Sequence, residues 1–254
     1  MRRFTSGWRT WFLAHVLWLG AAGLASASFV GVEAELVDST GYGWTYRVYA
    51  SFSAFDDEVV AVYGWAPAPM TLTVQAPLFQ SPSGGPTAEG INPLFFAAFP
   101  DLAYDSWFAL GSEDAGGTSA LNQAGMEASF DAFEAGEGFV LADPVGGTWF
   151  ITPGSSTDAF AGEDGKVLLG QMTVSGLTEW IFNVQYFDAN GETQNAEGLT
   201  VSIPQGVTLG CTDPEACNFD AGAVAEDGSC EYLSCAVYGC ICLLYTSPSP
   251  RDRG

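Results

Sequence analysis

Between Gly210 and Tyr232 the chain reads GCTDPEACNFDAGAVAEDGSCEY, which gathers three cysteines and a string of acidic residues into one short unit. Cysteines stand at 211, 217, 230 and 235, and Gly239-Cys240 restarts the pattern 29 residues after Gly210-Cys211. Four cysteines per period let each unit close on itself in an oxidising compartment, with three pairings open. Thiolate metal binding is the competing chemistry, and the absence of C-x-x-C spacing argues against it. Asp213, Asn218, Asp220, Glu226 and Asp227 place oxygen donors in one loop, with Gly228 able to turn sharply after them. Hard oxygen ligands of this kind suit calcium, with Asp213, Asn218, Asp220 and Asp227 as the candidate set. The spacing is not that of an EF-hand. The competing reading has Asp213 and Asp220 capping turns and Asp227-Gly228 forming a β-turn.

The rest of the chain offers aromatics and carboxylates. Trp44, Trp65, Trp107, Trp149 and Trp180 could stack on sugar rings, but four of them lie in alternating stretches where large apolar side chains belong to a core. Trp65, beside Pro67 and Pro69, is the candidate ligand contact. Asp56-Asp57-Glu58, Asp101 with Asp105, and Glu163-Asp164 are acidic clusters. A polysaccharide hydrolase would need two such groups facing each other across a cleft, whereas turn carboxylates are ordinarily solvated. Gly84-Gly85 and Gly146-Gly147 lack the spacing and basic partner of a phosphate loop.

Composition removes whole classes of function. The one histidine, His15, falls in the N-terminal 27 residues, whose charged start, apolar run Trp11–Ala25 and Ala25-Ser26-Ala27 end read as a signal peptide. Without it no imidazole remains for Ser-His-Asp or Cys-His catalysis, histidine-ligated zinc or histidine pH switching. Residues 28–241 keep two basic residues, Arg47 and Lys166, against 29 acidic ones, a net charge of about −27. Such a surface repels nucleic acid and anionic lipid and attracts cations, and it also suits a protein bathed in salt. No apolar run after Ala27 is long enough to span a bilayer.

The elements that must position these groups read as strands. Val30–Val37 alternates, and after the Gly41-Tyr42-Gly43 turn Trp44, Tyr46, Val48, Ala50 and Phe52 share one face. The unbroken apolar run Val59–Tyr63 predicts a central strand buried on both faces. Met70–Val74, Tyr104–Leu110, Phe139–Leu141, Thr148–Thr152, Lys166–Val174, Glu179–Phe187 and Leu199–Ile203 follow, with an Asn190-Gly191 hairpin turn before the last. Asn92-Pro93 predicts a short helix over Leu94–Phe99, and Ser129–Ala135 a second helical turn. The expected fold is an all-β, antiparallel, jelly-roll-like sandwich with one or two short helices, followed by a small disulfide-rich repeat.

Gly210–Tyr232 resembles the GCTDPxACNYxxxAxxDDGSCxY repeat of secreted and surface proteins of marine bacteria, with Phe219 where tyrosine is usual and Glu226 for the first aspartate of the pair. INPLFFAAFPDLAYDSWFALG looks like part of an all-β domain that accompanies such repeats, and the resemblance implies no particular activity. It does imply pairing of Cys211 with Cys230 and of Cys217 with Cys235. Cys242–Asp252, CLLYTSPSPRD, resembles a translated sequencing adapter. The expected organisation is a signal peptide over 1–27, a β-sandwich over 28–206, a cysteine-rich repeat over 207–238, the start of a second repeat over 239–241, and an adapter-derived tail over 242–254. The expected function is a secreted or cell-surface, non-enzymatic module that binds an extracellular glycan or surface protein. A carboxylate-dependent polysaccharide hydrolase and a structural stalk are the alternatives.

Overall fold

A computed structural model describes residues 28–204 and 208–232. The expected signal peptide, Cys235, the second repeat and the adapter-like tail lie outside the described residues.

Two antiparallel sheets form the sandwich. β1 (Phe29–Thr40), β2 (Gly43–Phe52), β9 (Lys166–Val174) and β5 (Trp107–Phe108) make the first, in the order β1-β2-β9-β5. The second holds seven strands around β10 (Thr178–Phe187). On one side β10 pairs with β11 (Thr193–Ile203). On the other, its two halves pair with β3 (Glu58–Gly64) and β4 (Met70–Val74). Beyond β3 lie β8 (Gly147–Phe150) and β6 (Asn122–Ala124), and beyond β4 lies β7 (Phe139–Leu141). The β10–β11 turn forms where Asn190-Gly191 predicts it, with Gly191 at positive φ and its N–H donating to the Asp188 carbonyl at 2.7 Å.

Period-two alternation sends Tyr46, Val48, Ala50 and Phe52 of β2 inward against Trp180, Phe182, Val184 and Tyr186 of β10. Phe108 sits at the centre, its ring within 4.3–6.2 Å of those of Phe133, Trp149, Trp180, Phe130 and Phe139. Each large side chain removed from water here contributes roughly 1.5–3 kcal/mol. β3 is central and largely buried, as its apolar run predicts.

The middle of the chain departs from the expectation in two places. Residues 94–99 form no α-helix; 3-10 turns run over Pro93–Phe95 and Pro100–Tyr104 instead. Pro100 forces Phe99 out of the helical region, to φ −131° and ψ 77°, and six residues are too few to sustain a helix alone. Strand over 104–110 shrinks to Trp107–Phe108. The excursion lies on the outer face of the four-stranded sheet, where Ile91, Leu102, Trp107 and Leu168 form a second, small core. α1 (Glu127–Glu134) does form, burying Phe130 and Phe133 one turn apart.

Candidate functional site

The outer face of the seven-stranded sheet carries a trough of about 760 Å³. Strand register builds it. Asn122, Phe150, Ala61, Gln185 and Asn195 are successive cross-strand partners through β6, β8, β3, β10 and β11. One step along the strands, Ala124, Thr148 and Tyr63 form a second row. Their inward-facing neighbours Val62, Trp149 and Val184 belong to the core, so alternation points the rows outward.

Trp65 lines the trough and is 43% exposed. A tight turn fixes it: Ala68 N–H donates to the Trp65 carbonyl, and Trp65 N–H donates to the Ala68 carbonyl, both at 3.0 Å. Ala66 N–H bonds the Asp143 carbonyl, which ties this turn to the next one. There the Asp143 carboxylate accepts from Gly146 and Val145 N–H, and these bonds hold its pKa below the usual range. A Cβ on Gly146 would lie 2.2 Å from the Gly64 carbonyl oxygen and 2.8 Å from Trp65 Cβ, and φ there is +70°. Only glycine lets the two turns approach this closely.

The polar equipment of the trough is sparse. Tyr63 donates its phenol to Glu197 Oε1 at 2.9 Å, and Gln185 Nε2 donates to Asn195 Oδ1 at 3.2 Å. Burial, reinforced by the Glu197 carboxylate, raises the Tyr63 pKa, so the phenol stays a neutral donor. Glu197 is the one carboxylate and no cation is present among the lining residues. Half-buried rings of Tyr63, Phe150 and Phe187 beside amides and a hydroxyl make a surface for an amphipathic, hydroxyl-rich ligand.

The remaining tryptophans divide as the strand pattern predicts. Trp107, Trp149 and Trp180 are fully buried, and Trp44 is partly buried against the core. The acidic clusters do not all behave as solvated turns. Asp57 and Glu58 are buried beneath the 159–165 segment, where Ala161 N–H bonds the Asp57 carbonyl and Glu58 Oε1 accepts from Gly154 N–H at 2.7 Å. Asp105 is also buried, accepting from Ser81 N–H at 2.7 Å, while Asp101 accepts from the Ser81 hydroxyl. Glu113 and Asp158 line two smaller acidic clefts, joined in one of them by Glu35, Asp164 and Lys166. Burial works to raise the Asp158 pKa, but the bonds from Thr118 and Ser112 outweigh it and leave the carboxylate easily ionised. The two carboxyls pushed upward, Asp105 and Glu134, line neither the trough nor these clefts.

In the cysteine unit, Cys211 and Cys230 form a disulfide with Cα atoms 4.7 Å apart. Cys217 is disulfide-bonded as well. Among the described residues, Asp213, Asp220 and Asp227 do not lie together as a group of three carboxylates at metal-binding distance. Asp213 accepts from Glu215 N–H and from the Tyr232 hydroxyl, Asp220 from Gly222 N–H, and Asp227 from Ser229 N–H. Asn218 bridges Ser229 and Glu231. The three aspartates each accept from the N–H two residues on, the local bonding that capped turns make, whereas Asn218 links two distant parts of the unit. Among the described residues, the one metal-sized group of cysteine and acidic side chains is Cys211, Glu226 and Cys230, and its two sulfurs are bonded to each other. The unit is docked on the sandwich: Leu177 N–H donates to the Glu226 carbonyl at 2.7 Å, and Gly228 packs against Gln75.

No protein-family profile matches this chain, and no curated protein matches it. Among solved structures it is similar to a cohesin module from a family 33 glycoside hydrolase of Clostridium perfringens. That likeness has 9% identity and a TM-score of 0.31, over 70% of this chain and 96% of the other.

Proposed function

We propose that this chain is a secreted or cell-surface binding module that holds a glycan in the trough on its seven-stranded sheet. The observation that carries the reading is the register-built row of Phe150, Gln185 and Asn195 with Tyr63 and Trp65 beside it. Rings offer dispersion contacts to the C–H faces of sugars, and the amides and phenol supply hydroxyl partners. Disulfides persist in oxidising compartments, which supports export. Residues 210–232 are in this reading a first repeat of the kind found in secreted proteins of marine bacteria, placed against the β9–β10 turn. Asp213, Asp220 and Asp227 each give one carboxylate oxygen to a backbone N–H, so a calcium ion there would be met by their remaining oxygen lone pairs.

The binding reading is favoured over a hydrolase because the trough offers a single carboxylate, whereas glycoside hydrolysis ordinarily uses two. A panel of polysaccharides tested for both retention and reducing-end release separates the two. Retention without turnover supports the binding module. Turnover lost on replacing one carboxylate supports the hydrolase. Retention of a protein partner in place of any glycan would sink the glycan reading.

A further inference from the structure

The charge distribution and the strand register say more about which glycan the trough takes, granted the glycan reading above. We infer that the ligand is an uncharged polysaccharide lying across the strands, read over three or four sugar rings. Two observations carry this.

The first is the absence of any positive partner. Arg47 and Lys166 are the only basic residues in 28–232. Both belong to the other sheet, on β2 and β9, and both are engaged. Arg47 pairs with Glu113 at 2.9 Å, and Lys166 with Glu35 and Glu33 at 2.5 and 3.1 Å. An anionic polymer with sulfate or uronate groups would meet Glu197 in the trough and a strongly acidic surface around it, without one cation to pair with. An uncharged sugar needs donors and acceptors only. Gln185, Asn195 and the Tyr63 phenol with its Glu197 acceptor supply those.

The second is length and direction. The lining crosses five strands, from Ala124 on β6 through Phe150, Ala61 and Gln185 to Asn195 on β11. Its four inter-strand steps at about 4.8 Å amount to roughly 19 Å, the span of about three or four pyranose rings in line. Trp65 and the exposed Val145 rise beside the row at the turns that end β3 and precede β8. The trough opens to solvent on the outer face of the sheet.

The test is calorimetric titration of the full chain with neutral oligosaccharides of one to six units, drawn from glucan, xylan, mannan and chitin series. Uronate and sulfated polymers are titrated at low and high salt. The expected result is binding to a neutral series that tightens tenfold or more from one unit to three or four and then levels off. That binding should change less than about twofold with salt, since no counterions are released. The charged polymers should give no heat at either salt concentration. Binding of a uronate or sulfated polymer would overturn the inference while leaving the glycan reading in place. So would affinity that is already complete with one unit or that still climbs at six. Absence of binding to every glycan would overturn both.

Discussion

Replacing Asp105 with asparagine should remove a specific pH dependence from folding. Asp105 is fully buried where the 81–85 turn closes over β5, and Gly84 packs directly on its carboxyl. Burial is the largest influence and pushes its pKa from 3.8 to about 7. Ser81 N–H opposes the rise and the charge of Glu134 adds to it. The folded protein therefore holds this proton more tightly than the unfolded chain does. The stabilisation is fully present below about pH 4 and is lost as pH rises towards 7, at about 1.4 kcal/mol per pH unit. An asparagine keeps an oxygen for the Ser81 N–H and never ionises. The stability gap between Asp105→Asn and the native chain should therefore widen, in favour of the variant, by roughly 3 kcal/mol between pH 5 and pH 8. Urea unfolding followed by the fluorescence of the buried Trp107, Trp149 and Trp180 reads this directly. Glu134, also pushed up by burial, contributes to both proteins and largely cancels in the comparison. Parallel stability curves for the two proteins across that range would refute the reasoning.

Two further perturbations test the core and the repeat. Phe108→Ala removes the ring at the centre of the aromatic cluster and should cost about 3–5 kcal/mol, seen as a lowered urea midpoint with little change in slope. Replacing Cys211 and Cys230 together by serine opens a loop closed over a separation of 19 residues, worth about 3 kcal/mol to the repeat. Limited proteolysis should then cut within 208–232 while the unfolding free energy of the sandwich changes by no more than about 0.5 kcal/mol, because no sandwich side chain is altered.

Much of the sandwich was legible because burial imposes a period of two. β2, β4, β7, β9 and β10 fall where alternation or an unbroken apolar run places them. The first part of β11 escaped notice, since Thr193–Glu197 is polar and strands only through pairing with β10. The apolar run Leu94–Phe99 misled in the other direction. Two prolines bracket it and hold it in 3-10 turns, and Leu94 is 86% exposed. Asp57 and Glu58 looked like solvated turn acids because nothing nearby in sequence announces the 159–165 segment that covers them.

The trough was barely legible. Trp65 stood out because two prolines and a break in alternation surround it. Phe150, Gln185, Asn195 and Glu197 come from three strands, and only register brings them into one surface. Phe150 and Gln185 read locally as outward members of alternating strands and Asn195 and Glu197 as part of a polar stretch, with no signal that they meet. The oxygen donors of the cysteine unit show the converse. They are close in sequence, yet Asp213, Asp220 and Asp227 each accept from a backbone N–H two residues on, and Asn218 is tied to Ser229 and Glu231.

The most direct test of the binding face is titration of a neutral tetrasaccharide, chosen from the polysaccharide the native chain retains, into that chain and into Trp65→Ala. Trp65 lines the trough from an exposed turn, so its removal should change the unfolding free energy by no more than about 0.5 kcal/mol. Loss of a stacking aromatic at a binding surface costs on the order of 1–3 kcal/mol, a weakening of roughly five- to more than a hundredfold. The expected result is saturable binding by the native chain and a loss of this size in the folded variant. Undiminished binding by Trp65→Ala, or no retention of any glycan by the native chain, would contradict it.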